Sequence, residues 1–324
     1  DARVVAAAAC VSATSGSVAI SFSVAVGLAQ STLRQETLAA VDNSVVGGTG
    51  GLTRLARSNS TMDAVTVAAG ISVGASPSSV AFSGSAAVAE AKNAIGGSTQ
   101  ALIRNGSAVT RTGNVSLTVE DSAQIKSDVV AASISVGVSQ SVSGSLSVAV
   151  TLAENRLTGM ARAAIDDSTV TTTGGNIDVR ATSAKLVDGV AVAAAFSLSG
   201  SGQLALSGAG SGADAENILS NEVAAEIINA TASAGGSVSV EATDNSTIKA
   251  TIVSAAASVS IGGSAALTGV VAITPAKNTS SGIPPAPLPT SAADTMASGV
   301  SVRTTAHTPI PRTSLAVRST VARL

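Results

Sequence analysis

Apolar and polar residues alternate one by one along much of this chain. The alternation is clearest at residues 114–119 (NVSLTV), 176–181 (NIDVRA) and 237–242 (SVSVEA), where Val, Ile, Leu or Ala takes every second position. Successive side chains of a β-strand point to opposite faces of the sheet. A period of two therefore predicts half-buried strands at these three places.

Longer apolar segments rich in Ala and Val follow the alternating ones and are divided by breaks rich in Ser and Gly. Residues 129–136 and 146–150 flank a break at 137–143, and residues 187–198 and 204–206 flank one at 199–202. Helices are an alternative, because Ala is the strongest helix former. The interleaved Val and Ser and the lack of a charged face favour strands.

These features recur at a spacing of 62 residues. Three columns of mostly Asn or Asp residues and one column of glycine pairs or near-pairs keep this spacing. The members are Asn43, Asn105, Asp167 and Asn229; Asn59, Asp121, Ser183 and Asn245; Asn93, Asn155, Asn217 and, after 61 residues, Asn278, with Ser31 in the first slot; and Gly50-Gly51, Thr112-Gly113, Gly174-Gly175 and Gly235-Gly236.

The repeated Asx and Gly residues predict turns. Asn and Asp tolerate the left-handed region and bond to their own backbone, and Gly adopts positive φ at little steric cost. Side-chain ladders are a second interpretation of the Asx columns, and both are favoured over metal sites.

The repeat predicts an all-β fold in which tandem units of about 62 residues stack as a β-solenoid or β-helix. About four and a half units occupy residues 1–280, and each is long enough for about three coils of roughly 20 residues. Asp1 lies one period before Asp63, so the chain starts inside a unit. We therefore expect it to be a fragment of a longer protein.

The period ends after Asn278. Residues 281–289 are rich in proline, and seven of the eight prolines lie between residues 275 and 311. Proline cannot donate to a sheet ladder. Residues 281–324 are therefore predicted to be a linker or a disordered tail.

Composition narrows the class of protein. The chain is 45% hydrophobic but only 1% aromatic, and its 18 basic residues are nearly balanced by 20 acidic ones. Stacked coils can bury small side chains, whereas a globular core usually relies on aromatic ones. The sparse, balanced charge argues against a nucleic-acid partner.

Candidate catalytic residues are few. The only histidine is His307, in the predicted tail, and the only cysteine, Cys10, is expected to be a buried, inert thiol. The pairs Asp166-Asp167 and Glu120-Asp121 are interpreted as turn residues, and so is the glycine-rich stretch 208–214 (GAGSGAD). We therefore expect no catalytic, cofactor-binding or metal-binding residues and no cofactor.

The unit resembles the repeats of leukotoxin-like filamentous adhesins, large bacterial surface proteins. The resemblance rests on the motif TTTGG at residues 171–175, followed by the alternating strand Ile177-Asp178-Val179, and it covers residues 1–280. It implies an exported, rod-like protein, extracellular or on the bacterial cell surface, with a stalk-like, adhesive or passenger role. It brings no site residues with it.

Two other functions stay open. One is a polysaccharide-acting β-helix enzyme with a carboxylate site, and the other is a transmembrane β-barrel, which the absence of Trp and Tyr disfavours. For a scaffold, the expected partners are host or cell-surface ligands held by other regions of the parent protein, and further copies joined through the solenoid ends. Membrane insertion is not expected.

Overall fold

The computed structural model describes residues 1–283 and 300–306, and all regular secondary structure in these residues is β-strand. The strands form three parallel sheets, named A, B and C. Sheet A contains β1 (Ala2–Ala13), β4 (Leu52–Ser76), β7 (Val115–Ser139), β10 (Ile177–Ser201), β13 (Val238–Asp244), β14 (Thr247–Gly262) and β17 (Val300–Ala306). Sheet B contains β2 (Val18–Asp42), β5 (Val80–Arg104), β8 (Val142–Asp166), β11 (Leu204–Ile228), β15 (Ala265–Ile273) and β16 (Ala276–Ile283). Sheet C contains β3 (Val45–Gly48), β6 (Ala108–Arg111), β9 (Thr169–Thr172) and β12 (Thr231–Ala234).

One repeat unit makes one coil of a parallel β-solenoid. The chain passes once through sheet A, once through sheet B and once through sheet C, and then stacks on the coil before it. Equivalent residues are direct neighbours, as in the column Val5, Val67, Val130, Val192 and Val253. The predicted solenoid is confirmed, and so is the strand assignment of the Ala-rich segments.

The prediction of three coils per unit is wrong. Each Ser/Gly-rich break contains one short turn from sheet A to sheet B, at Gln140 and Ser141 in one unit and at Gly202 and Gln203 in the next, and the rest of the break belongs to the strands, as Gly137 does to β7. Two strands of 25 residues each therefore fill most of the unit. Each strand spans about 80 Å, whereas five stacked coils rise only about 24 Å. The described chain is a wide slab, so the expected rod shape does not hold for these residues.

The slab has two halves that differ in cross-section. In the first half, which we call the prism, sheet C closes a triangle with the first part of each A strand and the last part of each B strand. Its interior holds Val, Leu, Ile and Ala, with Leu117, Ile165 and Ile177 fully buried. These large side chains fill the space that three sheets enclose.

In the second half, which we call the blade, only sheets A and B face each other. The blade comprises residues 3–26, 65–88, 128–150, 190–212 and 251–273. Its buried cluster contains Ala almost throughout, with Val129 as the exception. A Cβ added at Gly70 would lie 2.6 Å from the carbonyl oxygen of Ala86 in the opposite sheet, so the two backbones are too close for larger side chains.

Serine hydroxyls hold the two sheets of the blade together. The Oγ atoms of Ser85 and Ser133 lie 2.6 Å apart, and those of Ser145 and Ser197 lie 2.6 Å apart, all four in buried positions. A buried hydroxyl must find a partner to offset its lost hydration. Pairing two hydroxyls across the gap meets that need without adding volume.

The predicted turns are confirmed at the first Asx column and at the glycine pairs. Asn43, Asn105, Asp167 and Asn229 all have positive φ, between 43° and 59°. The glycines have a different role from the expected one, because Gly50 alone among the pairs has positive φ. A Cβ at Gly175 would lie 2.3 Å from the backbone of Gly113, so close stacking of coils requires glycine there.

Other turn predictions are wrong. Asn59, Asp121 and Ser183 lie within long strands, and the stretch 208–214 lies within β11, where β8 pairs with all of it and β15 with residues 208–212. Each is paired with a residue of at least one neighbouring coil. Within the predicted tail, residues 300–306 form β17, which pairs with β13. Residues 284–299 and 307–324, including His307, lie outside the described residues.

Candidate functional site

The outer face of sheet A in the blade is apolar. Five columns of side chains that point away from the interior run across the coils. They are Val5, Val67, Val130, Val192 and Val253; Ala7, Ala69, Ala132, Ala194 and Ala255; Ala9, Ile71, Ile134, Phe196 and Ala257; Val11, Val73, Val136, Leu198 and Val259; and Ala13, Ala75, Val138, Gly200 and Ile261. We call this surface the A face.

The outer face of sheet B in the blade, the B face, is also apolar but is uneven. The ring of Phe22 lies over Gly84 of the next coil, where an added Cβ would be 2.4 Å from the ring, and Phe82 lies over Gly144 in the same way. A shallow groove of about 570 Å³ runs between these side chains and Leu146. The B face is therefore ridged.

Large apolar side chains are concentrated on these two faces. Among the described residues, every strongly exposed large apolar side chain lies in or at the margin of the blade except Leu38, Val45 and Leu55. Soluble monomers rarely expose contiguous apolar surface on this scale, and such patches mark interaction sites. The two blade faces are therefore the candidate functional site.

Charged columns border both faces on the side toward the prism. From the second coil to the fifth, the column beside the A face reads Asp63, Lys126, Asp188 and Lys249, so the sign of the charge alternates over these four coils. One carboxylate oxygen of Asp63 is buried and has no hydrogen-bond partner.

The column beside the B face carries two acidic residues between two basic ones. It reads Lys92, Glu154, Glu216 and Lys277. The lysine at each end of this column forms an ion pair with a carboxylate. Glu90 bonds to Lys92 at 2.7 Å and Glu216 bonds to Lys277 at 2.5 Å, and each contact raises the pKa of its lysine.

The third Asx column is a buried ladder on the inner face of sheet B. The side-chain amide of Asn93 donates to Asn155 at 2.9 Å, Asn155 donates to Asn217 at 2.8 Å, and Asn217 donates to Asn278 at 3.0 Å. The ladder interpretation is confirmed for this column. Its first acceptor, the side-chain oxygen of Asn93, has no partner, because Ser31 occupies the slot in the first coil.

The candidate carboxylates do not form an acid–base pair. Glu120 and Asp121 are neighbours in β7 and point to opposite faces; Glu120 pairs with Arg57 at 2.6 Å and Asp121 with Lys185 at 2.9 Å. Asp166 ends β8 and lies 3.4 Å from Arg162. The turn interpretation is thus wrong for Glu120 and Asp121.

Only Asp167 of these four is a turn residue with positive φ. Glu120, Asp121 and Asp166 each pair with a different basic residue. Their arrangement therefore offers no general acid opposite a general base or nucleophile.

A buried ion pair lies where the prism meets the blade. Lys185 is 3% exposed and bonds to Asp121, which is 8% exposed. They line a half-open cavity of about 20 Å³, which is the size that one water molecule needs. The cavity is too small for an organic ligand, so the pair is structural.

Ion pairs between coils are frequent on the outer surface of the prism. Arg104 reaches Asp42 at 2.8 Å, and the amide of Asn105 donates to the same carboxylate at 2.6 Å. The hydrogen bond from Asn105, and then that from Arg104, lowers the pKa of Asp42. These contacts bind one coil to the next and leave the prism surface polar.

Other chemistry-bearing residues remain apart. Within the described residues, no three His, Cys, Asp or Glu side chains gather into a group that could hold a metal ion. Cys10 is a free thiol and is half-buried rather than buried, because β1 is the edge strand of sheet A in the described chain. The described part of the chain contains no helix that is long and apolar enough to cross a membrane.

Comparisons with protein-family models, with curated proteins and with solved structures find no match for this chain. The candidate site therefore rests on the geometry of the chain alone.

Sequence reasoning missed the two apolar faces. The signal was present, because a valine recurs at positions 5, 67, 130, 192 and 253. It could be interpreted as an outward column only after the register and the inward alanines were known.

Proposed function

We propose that this chain is a structural scaffold segment of a surface-exposed or secreted bacterial protein, with an adhesive or passenger role in the parent protein. The observation that carries the proposal is the repetition of the same outer columns in each full coil. Each coil adds about 4.8 Å to the height of a slab that is about 80 Å wide. Such a segment presents wide faces at a fixed spacing, which suits a scaffold better than a thin stalk.

The distribution of polar side chains supports a scaffold over an enzyme. The side-chain amides of the Asn ladder hydrogen-bond to one another between coils, and the paired Ser hydroxyls hydrogen-bond to one another between the two sheets. The four candidate carboxylates do not converge on a groove. The export and surface location come from the resemblance to leukotoxin-like filamentous adhesins.

Surface exposure is tested by raising antibodies to the purified chain and labelling the producing cells. We expect intact cells to be labelled, and the label to disappear after mild external proteolysis. Deleting the coding region of the chain should lower attachment of the cells to a solid support. Labelling that appears only after the cells are permeabilised would contradict the proposal.

Scaffold behaviour is tested by deleting residues 115–176, which removes one coil and joins Asn114 to Ile177. The register places Leu52 and Ile177 in the same column, so β4 can pair with β10 across the junction. Because a solenoid depends on neighbour contacts, we expect the shortened chain to stay folded. Deleting residues 115–145, half a coil, is the matched control and should unfold the chain. Unfolding by both deletions would contradict a modular scaffold.

A further inference from the structure

We propose that the A face binds the A face of a second copy of this chain, giving a dimer with two-fold symmetry. Both copies run their strands in the same direction and stack their coils in opposite directions. This arrangement goes beyond association through the solenoid ends, because it uses the lateral face of the blade.

The area of the A face is sufficient. Its five columns repeat about every 6.6 Å, and four overlapping coils rise about 19 Å, so the projected area is about 630 Å² per copy. The two copies together bury somewhat more than about 1,200 Å², since a corrugated surface exceeds its projection, and specific interfaces start near this size. The side chains are Val, Ile, Leu, Phe and Ala, the residues that fill gaps between packed sheets.

The charged border is its own complement. The two-fold axis lies between the two A faces, parallel to the strands and level with the gap between the third and fourth coils. Rotation about it places the second coil of one copy opposite the fifth coil of the other, and the third opposite the fourth. Asp63 of one copy then faces Lys249 of the other, and Lys126 faces Asp188, so every pair is opposite in sign. The border of the B face fails this test, because the same rotation sets Lys92 against Lys277.

The remaining charges near the border do not oppose the arrangement. In the four overlapping coils, the column between the charged border and the A face reads Val65, Asp128, Val190 and Thr251, and Arg3 is its member in the first coil, which the second copy does not overlap. The rotation places Asp128 opposite Val190 and Val65 opposite Thr251. No like charges meet there.

A second copy fits the A face better than a lipid bilayer does. Asp128 lies on the outer surface of sheet A, between the charged border and the A face. A charged side chain is costly inside hydrocarbon, whereas it stays hydrated at the rim of a dimer in water. This carboxylate thus disfavours insertion of the A face into a bilayer.

Mass determination at chain concentrations from about 1 to about 100 µM tests the dimer. Ile134 and Phe196 share one column on adjacent coils, so the rotation packs Ile134 of one copy against Phe196 of the other. Ile134→Asp should weaken dimerisation at least about 30-fold, as loss of a central anchor does. Leu146→Asp, an equally disruptive change on the B face, should leave the dimer intact, and both variants should keep the circular dichroism of the parent chain.

Exchange of charges tests the register. Lys126→Asp and Asp188→Lys each set like charges face to face and should each weaken dimerisation by about twofold to thirtyfold, because the dimer contains this pair twice and each exposed ion pair contributes about 1.4-fold to fivefold. Mixing the two variants should restore the dimer, because each copy then supplies the charge that the other lacks.

Several results would overturn the proposal. They are a monomer at all concentrations, a dimer that Ile134→Asp does not affect, a dimer that Leu146→Asp dissolves, failure of the mixed variants to restore association, and binding to phosphatidylcholine vesicles in place of dimerisation. None of these results would by itself remove the scaffold function, which depends on coil stacking and on surface location.

Discussion

The prism and the blade are built from the same long strands, yet they bury opposite kinds of residue. In the prism, Leu117 and Ile165 point inward and the outer surface is polar. In the blade, Ala and Ser point inward, and Ile134 and Phe196 of sheet A point outward. The gap between the backbones decides which side chains enter, and hydropathy alone does not.

The third sheet causes the difference. Sheet C holds sheets A and B apart at the prism and opens a space that needs large side chains for close packing. Beyond it the two sheets converge until a Cβ at Gly137 would lie 2.7 Å from the carbonyl oxygen of Gly144. The large apolar residues of the blade then have only the outer faces available.

The largest expected effect comes from comparing the same substitution, Ile to Ala, made separately in the prism and in the blade. Ile165→Ala should lower the free energy of unfolding by about 2–5 kcal/mol, because it leaves a cavity among fully buried side chains. Ile134→Ala, on the outer face of the blade, should cost less than about 1 kcal/mol in the monomer. Urea unfolding at low protein concentration measures both. Equal losses would contradict the assignment of Ile134 to the outside.

The second largest effect on stability is expected from enlarging side chains on the two faces of one blade strand. Ala131 points inward and is fully buried, whereas its neighbour Ala132 points outward. Ala131→Leu should destabilise the chain by about 1–3 kcal/mol or more through overpacking between the sheets. Ala132→Leu should change stability by less than about 0.5 kcal/mol. Thermal unfolding distinguishes the two, and a larger loss for Ala132→Leu would reverse the assigned faces.

Extending the asparagine ladder should stabilise the junction between the two halves. Ser31→Asn places an amide where it can donate to the unpartnered side-chain oxygen of Asn93. A gain of about 0.5–1.5 kcal/mol is expected for one buried hydrogen bond. Ser31→Leu, which is of similar size, should give no such gain. If both variants stabilise the chain equally, volume and not the ladder is responsible.

The smallest effect concerns the polar surface of the prism. The folded state lowers the pKa of Asp42 through Asn105 and Arg104, so this group adds stability above its unfolded pKa of about 3.9. That stability is lost as pH falls through the lowered folded pKa. Asp42→Asn should therefore show a slightly shallower loss of stability between pH 5 and pH 2 than the parent chain. Identical pH profiles would mean that the contact contributes nothing.

The sequence predicts the solenoid but not the size of its coil. The 62-residue columns and the alternation at residues 114–119 predict stacking and inward-facing Val115, Leu117 and Val119, and the structure has both. The same columns fit one coil or three, because a period counts residues between copies and not the turns within a copy. The Ser/Gly breaks favoured more turns, but serine and glycine are needed in the narrow interior of the blade.

The outer faces could not be predicted for a related reason. In the prism, alternation of apolar and polar residues marks the buried side. In the blade, Val alternates with Ala, so both sides of the strand are apolar and the pattern does not choose between them. Only the distance between sheets A and B decides that Ala131 is inside and Ile134 outside.

One distance tests the account most directly. Spin labels placed at Ser116 and Val136, after Cys10→Ser removes the native thiol, would report how far apart these residues lie within one chain when the labelled chain is diluted into an excess of unlabelled chain. Both residues belong to β7, so one coil per repeat predicts a separation of about 65 Å along a single strand. A separation below about 20 Å would mean that coils of roughly 20 residues stack these positions on each other, and the two-halved slab would be wrong.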